Sequence, residues 1–200
     1  MSELHVISTG KQSLEELTSI IRDIHTYIDW LHLREKTWTS EQLKQAIDDL
    51  AEAGIPRSKV IVNTDADTAY EKMTGGVQLT YESMDAANAR HLNIHWRIGC
   101  SVHSVQEAVK AEANGADYVL YGHVFASGSK PGMEPRGLEN LRHAVRSASV
   151  PVIAIGGIAP ENVHDVLDTG ASGVAVLSGI LLADNPVDAV QRYKKALTAG

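Results

Sequence analysis

Short apolar segments alternate with longer amphipathic segments along the whole chain. Eight of the short segments span four or five residues each, and polar or glycine residues flank them. Strands that are covered on both faces of a parallel sheet have this pattern, because neither face meets solvent. The predicted strands are Leu4–Ser8, Asp29–Leu33, Lys59–Asn63, Gly76–Leu79, His95–Gly99, Tyr118–Tyr121, Val152–Ile155 and Gly173–Leu177.

The longer segments between these strands carry the start and stop signals of helices. Serine and asparagine favour the position before a helix, proline its first turn, and glycine the position after its end. The start signals stand at Ser13, Ser40, Ser104, Pro160 and Asn185, and the stop signals stand at Gly54, Gly115 and Gly170.

Eight strand–helix units with short connections predict an α/β fold, a (β/α)8 TIM barrel that forms a single domain over residues 1–200. A doubly wound open sheet is the alternative. The presence of eight units in only 200 residues favours the closed barrel.

Composition and charge narrow the classes of partner. The formal net charge of -7 argues against a general nucleic-acid binder, and the single cysteine excludes a disulfide framework. No apolar run reaches membrane-spanning length, and the first ten residues lack the apolar core of a signal peptide. We therefore expect a cytoplasmic protein that binds neither nucleic acid nor membrane.

Glycine pairs follow the last two predicted strands, where barrels of this class often hold a phosphate. Gly156 and Gly157 follow the seventh strand, and Ser178 and Gly179 follow the eighth. Glycine lets backbone N–H groups approach an anion, and a helix that starts near Ser178 aims its first N–H groups at the same place. The sequence predicts phosphate binding by these four residues. Tight turns without a ligand are the alternative.

Cationic and titratable side chains follow two other strands. Alternation puts Arg34 and Lys36 on one side of the chain after the second strand, which predicts contact with an anionic substrate; solvated ion pairs are the alternative. His123 follows the sixth strand, beside a Gly-, Pro- and Ser-rich connection over residues 126–136 that is long enough for a lid. Because histidine suits proton transfer near neutrality, we predict that His123 is catalytic.

Smaller polar residues complete the predicted mouth of the barrel. Asn63 closes the third strand and either lines the mouth or caps a helix, and Ser101 after the fifth strand either contacts a ligand or helps to cap the next helix. Cys100 is interpreted as a small buried side chain, because no partner base is evident.

Nine segments, taken in order, carry a family resemblance. They are His32–Lys36, Val62–Asn63, Gly76–Leu79, Gly99–His103, Ala116–Val119, Gly122–Phe125, Ser129–Lys130, Pro151–Ile158 and Gly173–Ile180. Together they make essentially the whole chain similar to the thiamin phosphate synthase superfamily. The resemblance implies a place in thiamin biosynthesis, and it adds Lys130 to the substrate-binding residues.

Departures from the superfamily pattern refine this expectation. Synthases of the family hold Mg²⁺ with two aspartates, and this chain has Thr64 and Ser83 in the corresponding segments. His123 stands where the synthases have proline. This combination resembles the thiazole tautomerase branch (TenI). It implies an isomerase that aromatises the 2-carboxy-4-methylthiazole phosphate tautomer, with His123 as the proton shuttle and without metal or other cofactor.

Three alternatives stay open at this point. The first is a thiamin phosphate synthase, which couples a pyrimidine diphosphate to a thiazole phosphate in the presence of Mg²⁺. The second is a non-catalytic regulatory protein that binds the thiazole phosphate, and the third is another phosphosugar-type barrel enzyme. The expected partners are a small phosphorylated thiazole and a second copy of the chain in a homodimer.

Overall fold

Eight parallel strands close into a barrel in the order of the sequence. The computed structural model describes residues 2–81 and 83–198. β1 pairs with β2 on one side and with β8 on the other, so the sheet has no open edge and the predicted (β/α)8 barrel is confirmed. The strands are β1 (Glu3–Ile7), β2 (Trp30–Leu33), β3 (Val60–Asn63), β4 (Gly76–Leu79), β5 (Arg97–Val102), β6 (Tyr118–Gly122), β7 (Val152–Ile155) and β8 (Gly173–Val176).

Helices follow the strands and cover the outside of the barrel. Those of the described residues are α1 (Leu14–Ile24), α2 (Ser40–Glu52), α3 (Ala66–Glu71), α4 (Ala86–Leu92), α5 (Val105–Ala113), α6 (Gly137–Ser147), α7 (Val163–Leu167), α8 (Ser178–Leu181) and α9 (Pro186–Thr198). Within these residues, no helix has the length and apolar character that crossing a bilayer requires.

Two local features differ from the sequence prediction. Thr39, not Ser40, caps α2: its side chain accepts from the Gln42 backbone N–H, and the Gln42 side chain bonds back to the cap. The Ser40 hydroxyl instead donates a hydrogen bond to the Asp65 carboxylate at 2.7 Å. The fifth strand starts two residues later than predicted and continues to Val102, which places Ser101 within the strand.

The core has two parts. Between the strands and the helices lies a continuous apolar layer, as the sequence pattern predicts. The inside of the barrel holds a smaller apolar cluster that includes Ile61, Leu120 and Ile153. Fully buried polar side chains, among them His32 and Gln78, share that interior. The inside of the barrel is therefore partly polar, although its strands read as apolar in sequence.

An ion pair crosses the lower part of this interior. The Arg97 guanidinium donates to both carboxylate oxygens of Glu3, at 2.8 and 2.7 Å. The same guanidinium lies over the Trp30 ring at 4.8 Å and the Tyr118 ring at 4.7 Å. Burial raises the pKa of Glu3, but hydrogen bonds from His5 and Arg97 outweigh it and lower that pKa to about 2. Glu3 is therefore a carboxylate at neutral pH.

Two buried histidines continue from this ion pair toward the mouth. Nε2 of His5 lies 3.0 Å from a Glu3 oxygen, and Nδ1 of His5 lies 2.8 Å from Nε2 of His32. A carboxylate only accepts, so His5 carries its proton on Nε2 and receives a hydrogen bond from His32 on Nδ1. Burial lowers the pKa of both imidazoles, which keeps them neutral.

Candidate active site

A cavity of about 260 Å³ opens at the carboxyl-terminal ends of the strands. Its floor is apolar on one side, where Ile7, Leu120 and Ile155 lie. Six of the residues predicted from the sequence line it, namely Arg34, Asn63, Ser101, His123, Lys130 and Gly156. These six residues come from five different units of the barrel and meet in one place, as the topology requires for side chains at strand ends.

Lys36 does not belong to this group. β2 ends at Leu33, so the side-to-side alternation assumed for Arg34 and Lys36 does not continue through the loop. Lys36 is exposed and does not line the cavity, whereas Arg34 does. The structure thus does not bring Lys36 to the cavity beside Arg34, and its part in substrate binding stays a prediction.

The glycines after β7 permit close packing against the end of β6. A Cβ on Gly156 would overlap with the Cβ of His123, and a Cβ on Gly157 would overlap with the Ala126 carbonyl oxygen. Both glycines also have positive φ, of 100° and 65°, which disfavours any other residue. The pair thus brings the backbone after β7 against His123 and the start of the following loop.

Gly179 has a packing role as well. A Cβ at this position would overlap with the hydroxyl of buried Tyr193, which donates to the Ile158 carbonyl at 2.9 Å. α8 begins at Ser178, directly after β8, and the first N–H groups of any helix lack an acceptor within it. Ser178 and Gly179 therefore sit exposed at the rim of the mouth, held there by α9.

His123 is buried at the edge of the cavity, with 4% of its surface exposed. Its Nε2 lies 3.4 Å from the Met133 carbonyl oxygen, and its Nδ1 is buried and has no hydrogen-bond partner within residues 2–81 and 83–198. Because a carbonyl oxygen only accepts, Nε2 carries a proton, and Nδ1 is left without a partner in the part of the chain that the structure describes. The Arg136 backbone N–H also donates to the His123 carbonyl at 2.9 Å, so the 126–136 segment is tied to His123.

Positive charge lines the mouth. No carboxylate within residues 2–81 and 83–198 pairs with Arg34, and Nζ of Lys130 contacts Nε2 of His103 at 3.5 Å. Burial first, and then the nearby charge of Lys130, lowers the pKa of His103. The sequence did not single out His103, although it stands next to the fifth strand. This concentration of cations favours an anionic ligand.

Within residues 2–81 and 83–198, the carboxylates that a magnesium site needs are not in place. Thr64 and Ser83 stand in the two segments where the resemblance implies aspartates, and neither offers a charged oxygen. Asp65 beside Thr64 is occupied, since its oxygens accept from the Thr68 N–H at 2.9 Å, the Thr68 hydroxyl at 2.8 Å and Ser40 at 2.7 Å. Glu82 lies outside the described residues. The described donors do not fit a carboxylate-bound Mg²⁺.

Cys100 faces away from the chemistry of the mouth. It lies on β5 next to Ser101, but it packs against the outer apolar layer. Burial, followed by the charge of Asp117, raises the pKa of the Cys100 thiol to about 11. A thiol with this pKa is protonated at neutral pH and is a poor nucleophile.

The fold and the cavity define a single (β/α)8 barrel with one polar mouth. The thiamine monophosphate synthase family (TMP-TENI) matches residues 4–180, and the chain belongs to that family. A thiamine-phosphate synthase of Chlorobium luteolum is 38% identical over 182 residues, which is 88% of this chain and 84% of that protein. A thiamine-phosphate synthase of Chloroflexus aurantiacus is 38% identical over 80% of this chain and 74% of its own length.

Solved structures agree with this assignment. Thiamine phosphate pyrophosphorylase from Pyrococcus furiosus superimposes with a TM-score of 0.82 at 30% identity, over 98% of this chain and 96% of that one. A 3-hexulose-6-phosphate synthase superimposes with a TM-score of 0.77 at 20% identity, over 97% of this chain and 99% of that one, which shows the fold alone.

These comparisons overturn the activity predicted from the sequence. The relatives are named thiamine-phosphate synthase and none of those compared above is named a tautomerase, so the prediction of a thiazole tautomerase, an isomerase, was wrong. That prediction weighed His123 and the missing aspartates above the overall similarity of the chain. The superfamily itself was identified correctly.

Proposed function

We propose that the protein is an enzyme of thiamine biosynthesis that couples a phosphorylated thiazole to a pyrimidine diphosphate, as its relatives' name implies. The observation that carries the proposal is 38% identity to a thiamine-phosphate synthase over 88% of the chain. The reaction forms a carbon–nitrogen bond between the two rings and breaks the bond from the pyrimidine methylene carbon to the diphosphate.

The cations of the mouth balance the charge of the phosphorylated substrates. Arg34 and Lys130 line the same cavity of about 260 Å³ and contact the diphosphate. The backbone N–H groups of Gly156, Gly157, Ser178 and Gly179 hold the phosphate of the thiazole. The anionic groups of both substrates are thus fixed at one mouth, which brings their rings together.

Asn63 and His123 then act on the rings, and Ser101 donates a hydrogen bond to a phosphate oxygen. Asn63 and Ser101 form hydrogen bonds from the floor of the cavity. His123 is the proposed catalytic residue: its Nδ1, which has no partner among the described residues, takes up a proton from the bound pyrimidine as diphosphate leaves and returns it once the carbon–nitrogen bond has formed. General acid–base groups of this kind contribute about 10²–10⁴-fold to rate. His123→Ala should lose roughly that factor in kcat and retain most substrate binding.

A coupling assay tests the proposal. Purified protein is incubated with the thiazole phosphate and the pyrimidine diphosphate, with added Mg²⁺ in one arm and EDTA in the other, and thiamine phosphate is measured by chromatography. Formation of thiamine phosphate at a rate proportional to enzyme supports the proposal. Absence of product at every Mg²⁺ concentration contradicts it.

A second candidate, a non-catalytic protein that binds the thiazole phosphate, is favoured by one specific observation. Asp65, the described carboxylate nearest in sequence to Thr64, is fully engaged in hydrogen bonds to Ser40 and Thr68. Calorimetry with the thiazole phosphate separates the two candidates. Tight binding together with no product in the coupling assay supports the binding protein, and product formation excludes it.

A further inference from the structure

One buried side chain links the middle of the barrel to the floor of the mouth. Gln78 on β4 is fully buried, and its amide bridges two residues of neighbouring strands. The Tyr118 hydroxyl donates to Oε1 of Gln78 at 2.7 Å, and Nε2 of Gln78 donates to Oγ of Ser101 at 3.0 Å. Neither Gln78 nor Tyr118 contacts the cavity, whereas Ser101 lines it.

The direction of this chain of hydrogen bonds follows from the chemistry of Tyr118. The Tyr118 side chain is fully buried, and burial raises its pKa well above the usual value, so the hydroxyl keeps its proton. A buried O–H needs an acceptor, and Oε1 of Gln78 is the acceptor that the described residues provide. The amide oxygen therefore faces Tyr118, and the NH2 group faces Ser101.

The surroundings hold Tyr118 and Gln78 in this arrangement. The Arg97 guanidinium, itself bound by Glu3, lies over the Tyr118 ring at 4.7 Å. Gly99 on β5 leaves the necessary space, because a Cβ there would overlap with both the Tyr118 hydroxyl and the Gln78 amide oxygen. The hydrogen bond thus passes directly over the backbone of Gly99.

We propose that Tyr118 and Gln78 are positioning residues that fix Ser101 as a hydrogen-bond donor toward the ligand. An amide N–H only donates, so Oγ of Ser101 accepts from Gln78 and its own proton stays available. That proton is directed to the cavity, and the ligand must present an acceptor there. With Arg34 and Lys130 lining the same cavity, the acceptor that fits is an anionic phosphate oxygen. The inference rests on the proposed function only in assuming that a phosphorylated ligand binds at the mouth.

A double-mutant cycle tests the proposal with inorganic pyrophosphate as the probe. Calorimetry gives Kd for the wild type, Tyr118→Phe, Ser101→Ala and the double variant. Ser101→Ala should weaken binding about 10-fold, since a charge-assisted hydrogen bond is lost, and Tyr118→Phe about 5-fold. In the Ser101→Ala background, Tyr118→Phe should change Kd by less than about 2-fold, because its effect acts through Ser101.

Tyr121→Phe is the matched control. Tyr121 lies on the same strand, but its side chain packs in the outer apolar layer. The Tyr121→Phe variant should bind pyrophosphate with the same Kd as the wild type. If Tyr118→Phe weakens binding equally with and without Ser101, or does not weaken it at all, the positioning role is refuted. Absence of pyrophosphate binding to the wild type refutes it too.

Gln78→Glu gives a second, independent test. The introduced carboxylate, when ionised, accepts from both Tyr118 and Ser101, so Ser101 no longer donates to the ligand. Pyrophosphate binding should be near the wild-type level in acid, where the carboxyl group is protonated and still donates, and about 10-fold weaker after it ionises. Binding that matches the wild type at every pH would overturn the inference. Thermal unfolding confirms that each variant is folded.

The coupling assay distinguishes this inference from the proposed function. If the wild type makes no thiamine phosphate but the cycle shows coupling between Tyr118 and Ser101, the proposed reaction fails and the positioning role stands. If the wild type makes product and the cycle is additive, the positioning role fails and the reaction stands.

Discussion

Replacing Glu3 by glutamine should destabilise the protein although the side chain keeps its shape. The carboxylate accepts two hydrogen bonds from Arg97 and one from His5 in the lower part of the barrel. Glu3→Gln keeps one carbonyl oxygen but removes the negative charge. Arg97, whose side chain is only 19% exposed, is then left as an uncompensated cation between two aromatic rings.

The expected magnitude follows from the pKa of Glu3. It falls from 4.5 to about 2 on folding, and at about 1.4 kcal/mol per pKa unit this corresponds to roughly 3 kcal/mol. The Glu3 side chain is 29% exposed, so partial screening by solvent brings the expected loss to about 2–3 kcal/mol at neutral pH.

The dependence on pH has a definite sign. A carboxyl group with a lowered folded-state pKa stabilises the fold above its unfolded pKa, and it loses that contribution as the pH falls through the folded value. The gap between wild type and Glu3→Gln should therefore be complete above pH 4.5 and shrink toward pH 2.

Urea unfolding, followed by far-UV circular dichroism at a series of pH values, measures this gap. Glu52→Gln is the control, since Glu52 is exposed at the end of α2 and forms no ion pair among the described residues. It should change the free energy of unfolding by less than about 0.5 kcal/mol. A Glu3→Gln loss as small as that of the control, or a gap that does not change with pH, would refute the account of the ion pair.

Three further predictions concern the cap, the rim and the buried histidines. Asp65→Ala should cost about 1–2 kcal/mol in urea unfolding, because the N-cap bond to Thr68 is lost, and should leave any Mg²⁺ dependence of the coupling assay unchanged; a changed dependence would make Asp65 a metal ligand. Gly179→Ala should cost about 1–3 kcal/mol by overpacking against Tyr193 and should weaken thiazole phosphate binding in calorimetry, and unchanged values of both would contradict the packing at the rim. Because burial lowers the pKa of His5 in the folded protein, this histidine takes up a proton more readily in the unfolded chain. The free energy of unfolding, measured by urea titration, should therefore fall as the pH drops below 6.5. A free energy of unfolding that does not change between pH 6.5 and 5 would be inconsistent with the buried neutral ring.

The sequence was sufficient for the architecture because barrel strands and helices obey local rules. Gly76–Leu79 and Val152–Ile155 have the observed bounds, since flanking glycine and proline mark the ends of short apolar runs. Ser13 and Ser104 cap α1 and α5 as predicted. These signals lie within a few residues of the structure that they specify.

The mouth was only partly predictable, because its arrangement depends on contacts between distant strands. His123, Arg34 and Ser101 could be assigned from their positions at strand ends. Gln78 could not, since its role depends on Tyr118, which lies 40 residues away in sequence. One signal was present and not used: polar or glycine residues at inward positions of neighbouring strands, such as Gln78 and Gly99, indicate a polar interior.

The prediction of activity failed for a different reason. It rested on a few substituted positions, such as Thr64 and His123, which describe one site and not the ancestry of the chain. Identity over most of the length measures ancestry directly, and it favoured the synthases.

The Glu3–Arg97 pair also bears on how the chain folds. The two residues are 94 positions apart and belong to β1 and β5, so Glu3 has no cationic partner until the fifth strand is in place. In a partial barrel of the first four strands, the half-buried Glu3 carboxylate would keep its hydrogen bond from His5 but would lack the guanidinium that neutralises its charge, and such a barrel is therefore expected to keep water around it. That water is expected to leave only when β5 pairs with the sheet and brings Arg97 to Glu3. The charged pair therefore favours late, cooperative closure of the barrel.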